Sequence, residues 1–305
     1  MPVLEITTMA GCPLSCSFCP QDKLKSAYGK GNKYLALEQF KAVLRKIPPH
    51  VQIDFSGMSE PWANPEATEM LSHALQRGHS IAVYTTLYGM TLDDADRTID
   101  LLSAHRERIK IFCLHLPDRA GNMRGWKHSS EHETVLKKFL DFGKRGILRK
   151  FEAMTMDEHG AVHKDLEHLG ITLGKWTGIS RAGSLDVAAI GGQKLHHSPR
   201  NANPVSCAST PDYDHNVMLP NGDVVLCCMD YSLKHVIGNL FEQDYEELFA
   251  SAEMDRIRAG NAAAGYSKCT ICKSCDNVLQ HGYGFLFSAQ GVRQTVRRLH
   301  RWAAS

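Results

Sequence analysis

The first 180 residues alternate between short, strand-like runs and amphipathic, helix-like segments. The strand-like runs include VQIDFS (51–56), SIAVYTT (80–86) and IKIFCLHL (109–116). Between them, apolar residues recur at helical spacing, as they do over residues 37–47. The alternation predicts about six βα units, in which parallel strands are joined by right-handed crossovers and covered by helices.

A closed barrel of eight such units takes about 250 residues. The alternation here stops near Ile179, so an incomplete barrel of six units fits the chain better. Active sites of these barrels lie at the C-terminal ends of the strands. The segment GCPLSCSFCPQ (11–21) directly follows the first strand-like run, and we expect it at that end of the barrel.

The composition changes after the alternating part of the chain. Residues rich in Gly, Ser, Asn and Pro indicate a linker, and the region after it carries six of the ten cysteines. The predicted divisions are a barrel at 1–185, a linker at 186–206, a cysteine-rich domain at 207–280 and a tail at 281–305. The tail reads as an amphipathic basic helix, for which docking on the barrel is favoured over a membrane-surface or partner contact.

Charge and hydropathy limit the classes of protein that fit. A formal net charge of +2 argues against broad nucleic-acid affinity, which needs a concentrated basic surface. The N-terminus does not resemble a signal peptide, and no apolar run is long enough to predict a membrane span. We therefore expect a cytoplasmic protein, in which cysteines serve as metal ligands or reactive groups more often than as disulfides.

Cys12, Cys16 and Cys19 have the spacing C-x3-C-x2-C, which lets one short loop bring three sulfurs to one face. Zinc prefers four ligands, often as paired C-x2-C, and this loop has three cysteines and no nearby histidine. A [4Fe–4S] cluster held by three thiolates leaves one iron open for a small molecule. The spacing favours the cluster, with a zinc site or three packed thiols as the alternative.

These residues resemble the radical S-adenosylmethionine enzymes, whose motif is C-x3-C-x-aromatic-C, with Phe18 as the aromatic residue. The resemblance implies that the open iron binds S-adenosylmethionine and that an electron from the cluster cleaves it. The resulting 5′-deoxyadenosyl radical would remove a hydrogen atom from a substrate. It also implies a reducing partner such as flavodoxin or ferredoxin.

Further cofactor contacts are implied by the same resemblance. Gly57 and Glu60 match the ends of a Gly-Gly-Glu-like motif that binds the methionine amino group, although Ser59 stands where a glycine is usual. Thr85 matches a third-strand segment beside the cofactor. Arg181, in SRAG (180–183), could reach the cofactor carboxylate, and a surface salt bridge is an equal alternative.

The C-terminal cysteines resemble the auxiliary-cluster domains named SPASM and, in a shorter form, twitch. With six cysteines instead of seven, the chain fits one auxiliary [4Fe–4S] cluster, and a zinc ribbon is the alternative. The twitch spacing matches best at Cys207, Cys227, Cys269 and Cys272. Cys228 and Cys275 remain, and Cys275 could instead be a ligand that replaces Cys269. The implied fold is a partial (β/α)6 TIM-like barrel followed by a small SPASM/twitch domain.

Two reactions on a small polar substrate, such as a sugar, aminoglycoside or nucleoside, fit this resemblance. An auxiliary cluster can accept an electron, which gives a dehydrogenase, or a thiol can return a hydrogen atom, which gives an epimerase. The candidate hydrogen donors are Cys275, Cys228 and Cys113, the last of which shares a strand face with His115. A ribosomal-peptide-modifying enzyme is the alternative, less favoured because the first motif begins at Cys12 with no leader-binding domain before it. A non-catalytic zinc protein is the alternative of another class.

Overall fold

The computed structural model describes residues 1–156, 160–174, 180–185 and 200–281. In this part of the chain, five parallel strands lie side by side in the order β5-β4-β3-β2-β1. Their bounds are β1 (Val3–Ile6), β2 (Gln52–Phe55), β3 (Ile81–Thr85), β4 (Ile109–Leu116) and β5 (Phe151–Thr155). Each strand falls on a strand-like run of the sequence, and the predicted parallel α/β fold is confirmed.

Helices connect these strands and cover one face of the sheet. Their bounds are α1 (Gln21–Tyr28), α2 (Leu37–Leu44), α3 (Ala67–Gln76), α4 (Leu92–Ala104) and α5 (Ser130–Lys144). Helices α2 to α5 pack against one another in chain order, as successive right-handed crossovers require. Helix α1 is different because it follows the cysteine loop directly.

The helix starts show both the strength and the limit of the sequence patterns. The sequence predicts that Thr91 caps α4, and its Oγ1 accepts from the Asp94 amide at 3.1 Å. The capping-box pattern of Ser130 with Glu133 predicts that α5 is capped by Ser130, which is wrong by one residue. The extended residue before the helix is Ser129, and its Oγ accepts from the His132 amide at 3.1 Å.

The core lies between the helices and the outer face of the sheet. Phe112 on β4 stacks on Phe139 of α5, with ring centroids 4.9 Å apart and planes at 8°. Such a pair adds about 1 kcal/mol beyond the burial of its area. Strand residues of the opposite parity face the inside of the partial barrel, among them Asp54, Tyr84 and His115.

The sixth predicted unit differs from a regular βα unit in the part that is described. Its expected helix is a short 3-10 helix at Lys164–Leu169, which ends at Gly170 in the left-handed conformation. The run ITLGKWTGI (171–179) is the expected sixth strand. Its residues 171–174 have no regular structure, and residues 175–179 lie outside the described residues.

The cysteine-rich segment extends the barrel sheet. Strand β7 (His215–Met218) runs parallel to β1, on the side opposite β2. Strands β8 (Asp223–Val225) and β9 (Val236–Asn239) then continue the same sheet in antiparallel pairs.

A second, two-stranded sheet and one helix complete the cysteine-rich segment. Strand β6 (Val205–Cys207) pairs antiparallel with β10 (Val278–Gln280), and Cys207 lies opposite Val278. Helix α6 (Ala252–Ala262) packs beside β6 and β9. Most of the predicted linker, 186–199, and the predicted basic helix, from 282 onward, lie outside the described residues. No helix in the described ranges has the length and hydrophobicity needed to cross a bilayer.

Candidate active site

A cavity of about 320 Å³ opens at the C-terminal ends of the parallel strands. It brings together the three cysteines of the N-terminal loop and all five residues expected to contact the cofactor. These are Cys12, Cys16, Cys19, Phe18, Gly57, Glu60, Thr85 and Arg181. The cysteine-rich segment adds Cys228 and Tyr231 to the same wall, so the cavity is built from both halves of the chain.

Two of the three loop thiols, Cys12 and Cys16, lie in a site that disfavours their free thiolates. Burial raises the pKa of Cys12 to about 12, and the charges of Glu60 and Cys19 add to the shift. Burial also raises the pKa of Cys16, with contributions from both other loop cysteines. Thiolates held this close need a positively charged centre between them, which iron supplies in a cluster.

Gln21 holds the cysteine loop in shape, and the sequence motifs gave no signal for it. Its Oε1 accepts from the Cys12 amide at 3.1 Å, and its Nε2 donates to the Met58 carbonyl at 2.7 Å. The same Nε2 lies 3.0 Å from the Cys19 sulfur and donates to it. One buried amide therefore links the first and third cysteines to the turn that follows β2.

Glu60 has its carboxylate fixed by four donors. Its Oε1 accepts from Thr85 Oγ1 at 2.5 Å and from the Trp62 amide at 3.3 Å. Its Oε2 accepts from the Thr86 amide and hydroxyl, both at 2.7 Å. Burial nevertheless raises the pKa of Glu60 to about 7, because these bonds do not replace water completely. A cation bound in the cavity would stabilise the charged form.

Thr85 and Thr86 therefore act on the cavity through Glu60. Thr86 contributes two of the four hydrogen bonds to that carboxylate. His132 Nε2 of α5 in turn donates to the Thr86 carbonyl at 3.0 Å. The third-strand segment thus positions the acid, a role that sequence resemblance alone did not specify.

The turn at Gly57 fits only a glycine. Its φ is +59°, and an added Cβ would lie 2.5 Å from Thr7 Oγ1 and 2.8 Å from the Thr7 amide. The neighbouring Ser59 also lines the cavity, and its buried Oγ has no hydrogen-bond partner among the described residues. A buried hydroxyl of this kind calls for a polar group of a ligand.

Arg181 reaches the cavity from a strained backbone position. Its φ is +51°, unusual for a residue with a side chain, and the preceding Ser180 is anchored by its amide to Asp276 at 2.7 Å. The Arg181 Nε donates to the Phe18 carbonyl at 3.4 Å, and its guanidinium lies 5.7 Å from the Tyr231 ring centroid. The arginine therefore joins the cysteine loop to the cysteine-rich segment.

The three candidate hydrogen donors occupy different places. Cys228 lines the cavity and contacts Glu5. Cys113 is fully buried inside the barrel, one layer below the cavity, with Ala82 and Ile111. Cys275 is buried in the main core beside Cys272. His115, two residues along the strand from Cys113, does line the cavity, and burial together with the charge of Arg181 lowers its pKa to about 4.

The remaining cysteines form a second group. Burial raises the pKa of Cys227, and the charges of Cys272 and Cys275 act on it in the same direction. The charge of Cys207 likewise raises the pKa of both Cys272 and Cys275. Cys269 is exposed, and an added Cβ on Gly260 of α6 would lie 2.8 Å from its sulfur. The structure thus groups two buried thiols, Cys272 and Cys275, with two half-buried ones, Cys207 and Cys227, and leaves Cys269 exposed.

Lys273, between two of these cysteines, is fully buried. Its Nζ donates to the carbonyls of Asn203 and Ala263, at 2.7 and 2.8 Å. A lysine inside a cysteine motif gives no sequence signal of such burial. Its side chain ties the C-x2-C-x2-C segment to α6 and to the residues before β6.

Residues 207–276 match the SPASM family, described as an iron–sulfur cluster-binding domain. Two solved structures resemble most of the chain. The crystal structure of BtrN in complex with AdoMet and 2-DOIA is 17% identical, with a TM-score of 0.56 over 91% of this chain and 93% of that chain. Native anSMEcpe with bound AdoMet and Kp18Cys peptide is 14% identical, with a TM-score of 0.52 over 100% of both chains.

The chain has the fold of these AdoMet-bound structures, and its residues 207–276 form a SPASM domain. A second structure of BtrN, in an open conformation, has a TM-score of 0.53 at 13% identity, over 91% of this chain and 92% of that chain. No curated protein sequence matches the chain. The SPASM match and the likeness in fold to structures with bound AdoMet confirm the resemblance to radical S-adenosylmethionine enzymes that the cysteine motifs indicated.

The donor set of this radical S-adenosylmethionine fold suits iron–sulfur clusters. Thiolates are the soft ligands that such clusters use, and each of the two groups consists of cysteines. In the described residues no three Cys, His, Asp or Glu side chains are placed to hold a single metal ion. The unpartnered Ser59 hydroxyl and the fixed Glu60 carboxylate match a ligand that has an ammonium and other polar groups.

Proposed function

We propose that the protein uses S-adenosylmethionine and two [4Fe–4S] clusters to remove a hydrogen atom from a small polar substrate. The observation that carries this proposal is the single cavity lined by Cys12, Cys16, Cys19 and Glu60. Three thiols and a buried carboxylate at the ends of parallel barrel strands fit a cluster with one open iron and an amino acid bound to it.

In this proposal, different residues of the chain bind the N-terminal cluster and S-adenosylmethionine. Cys12, Cys16 and Cys19 hold the N-terminal cluster, and Glu60 binds the ammonium of S-adenosylmethionine, supported by the Ser59 hydroxyl. Arg181 faces its carboxylate, because a guanidinium is suited to bidentate carboxylate contact. When bound, the cluster supplies the electron that cleaves S-adenosylmethionine and so generates the radical that abstracts hydrogen.

We assign the auxiliary cluster to Cys207, Cys227, Cys272 and Cys275. The support is that these four thiols are buried or half-buried and interact electrostatically, while Cys269 is exposed. This set replaces Cys269, which the twitch spacing favours, by Cys275. The assignment keeps the cysteine-rich unit at 207–280, after a linker at 186–206 and a barrel at 1–185.

Two outcomes of hydrogen abstraction fit the cavity. In dehydrogenation, the substrate radical loses one further electron, for which the auxiliary cluster is the acceptor, and one proton. In epimerisation, it regains one hydrogen atom on the opposite face, and Cys228 is the candidate donor that lines the cavity. Cys113 and Cys275 lie elsewhere and are less suited to that transfer.

The test combines reconstituted protein, S-adenosylmethionine and a chemical reductant under anaerobic conditions. We expect 5′-deoxyadenosine, detected by chromatography, and none from a variant in which Cys12, Cys16 and Cys19 are all alanine. Failure of the wild-type protein to form 5′-deoxyadenosine would overturn the proposal.

Product analysis in deuterated water separates the two outcomes. An epimerase places one solvent deuterium in the product, and Cys228→Ala should then still cleave S-adenosylmethionine but form no epimer. A product oxidised by two electrons, with no deuterium gained, establishes dehydrogenation. If peptides are modified and no small polar molecule is, the substrate class proposed here is wrong.

A further inference from the structure

Two acidic side chains face the cavity from the strands themselves, below the turn that carries Glu60. Glu5 on β1 and Asp54 on β2 are directly paired positions of the parallel sheet. Both line the cavity, and they are only 6% and 4% exposed. The cofactor contacts proposed above use neither of them.

The charge of Glu5 is compensated by its neighbours. Ser56 Oγ donates to Glu5 Oε2 at 3.0 Å. His215 Nε2 lies 2.9 Å from Glu5 Oε1, an ion-pair distance, although the ring is not aligned for a hydrogen bond. The Cys228 thiol also contacts Glu5. This carboxylate therefore has partners on both oxygens.

Asp54 is different because only one of its oxygens is used. Oδ1 accepts from Gln52 Nε2 at 2.7 Å, whereas Oδ2 accepts no hydrogen bond from any described residue. Burial raises the pKa of Asp54 to about 7, and the charge of Glu5 adds to the shift. This carboxylate oxygen is therefore available to a donor that is bound in the cavity.

The sign of the charge on this wall selects the ligand. Two carboxylates face one imidazole, His215, because the other cavity histidine, His115, has a pKa of about 4 and is neutral at pH 7. The Arg181 guanidinium also lines the cavity and its charge acts on Glu5, but the proposal above assigns it to the cofactor carboxylate. A phosphate or carboxylate placed here would meet like charge. Glu5 and Asp54 belong to no group of three ligating side chains that could hold a metal ion in the described ranges, so an organic cation fits better.

We infer that Glu5 and Asp54 form a subsite for the ammonium group of a small, amine-bearing substrate. This inference rests on the proposed function and names its substrate class. The ammonium donates to Asp54 Oδ2 and is attracted by Glu5, while the rest of the molecule extends toward the cluster loop. Charge-assisted hydrogen bonds of this kind are among the stronger polar contacts in proteins.

Three probes of one shape test the preference for positive charge. They are trans-4-aminocyclohexanol, cyclohexane-1,4-diol and trans-4-hydroxycyclohexanecarboxylate, which differ in having an ammonium, a hydroxyl or a carboxylate. Each is titrated by calorimetry at pH 7 into reconstituted protein saturated with S-adenosylmethionine. We expect the amine to bind about tenfold more tightly than the diol, the effect of a hydrogen bond to a charged group, and the carboxylate not to bind.

Asp54→Asn should abolish the preference for the amine while leaving iron content and S-adenosylmethionine affinity unchanged. Glu5→Gln, in the neighbouring strand, should weaken the preference and provides a second variant if the first does not fold. Asp223→Asn is the matched control, because Asp223 accepts hydrogen bonds from Asn221 and Asn239 outside the cavity.

Equal or tighter binding of the diol or carboxylate, or no binding of the amine, would overturn the inference. So would a preference for the amine that survives in Asp54→Asn. In those cases S-adenosylmethionine still binds, and the proposed function stands. Loss of S-adenosylmethionine binding by the wild-type protein would instead overturn the proposed function together with this inference.

Discussion

The Tyr231 hydroxyl of the SPASM domain lies 3.2 Å from the sulfur of Cys19 in the N-terminal cysteine loop, within hydrogen-bond distance. The two residues are 212 positions apart in the chain. Tyr231 is 2% exposed, and burial raises its pKa well above the usual value, so it keeps its proton. Once Cys19 is a thiolate, the tyrosine must be the donor in this contact.

Tyr231→Phe should lower the reduction potential of the N-terminal cluster. A hydrogen bond to a ligating sulfur stabilises the more negative, reduced state, and the variant removes one such bond while Gln21 keeps the other. The potential is measured by redox titration monitored by electron paramagnetic resonance. Tyr245→Phe is the control, since it removes a buried hydroxyl that has no partner among the described residues. An unchanged potential in Tyr231→Phe would show that the bond does not act on the cluster.

Glu60→Gln should weaken S-adenosylmethionine binding by about 10- to 100-fold, the usual effect of losing a hydrogen bond to a charged group. Iron content should not change, because Glu60 is not a cluster ligand in this account. Equilibrium binding to the reconstituted variant measures the effect. Glu253→Gln, which alters a carboxylate bonded to His235 and Arg256, should bind as the wild type does.

The pH dependence of the same binding step supplies a second readout. Since burial raises the pKa of Glu60 to about 7, an ammonium must displace a proton from it at lower pH. Affinity should fall below pH 7, by up to about tenfold per pH unit for one displaced proton, and Glu60→Gln should remove this dependence. A wild-type profile that is flat from pH 5 to pH 8 would contradict the assignment.

Gly57→Ala should reduce the free energy of unfolding by about 2–4 kcal/mol. Left-handed strain contributes about 1 kcal/mol, and the contact with Thr7 adds an overpacking cost of about 1–3 kcal/mol. Gly121→Ala separates the two effects, because Gly121 has a φ of +75° but no atom within 4 Å of an added Cβ. Chemical denaturation of both variants provides the comparison, and equal losses would mean that the close approach at Gly57 relaxes without cost.

Cys275→Ser should remove the irons of the auxiliary cluster, about four per chain, whereas Cys269→Ser should keep them. The reason is that Cys275 is buried near the other grouped thiols, whereas Cys269 is exposed. Iron and sulfide analysis after reconstitution distinguishes the two variants. The opposite result would restore the ligand set that the twitch spacing favours.

The sequence correctly predicted features that depend on one short, continuous segment. The five parallel strands follow β-branched runs, and the cysteine loop follows β1 as expected because its spacing is contained in one short segment. Glu60 could be selected for the same reason, from a motif at the end of β2.

Other features depend on contacts between distant segments. Tyr231 reaches Cys19 only because β7 pairs with β1, which no periodicity in either segment indicates. The spacing C-x2-C-x2-C contains two equivalent C-x2-C pairs and does not indicate which cysteine is exposed. The exposure of Cys269 depends on how the segment packs on α6, which the sequence does not show. The cap of α5 was displaced by one residue because Ser129 and Ser130 carry the same side chain.

The metal content of anaerobically reconstituted protein tests the central claim most directly. Two [4Fe–4S] clusters predict about eight irons and eight sulfides per chain, and about four of each when Cys12, Cys16 and Cys19 are all replaced by alanine. Zinc with negligible iron in the wild-type protein would contradict the account.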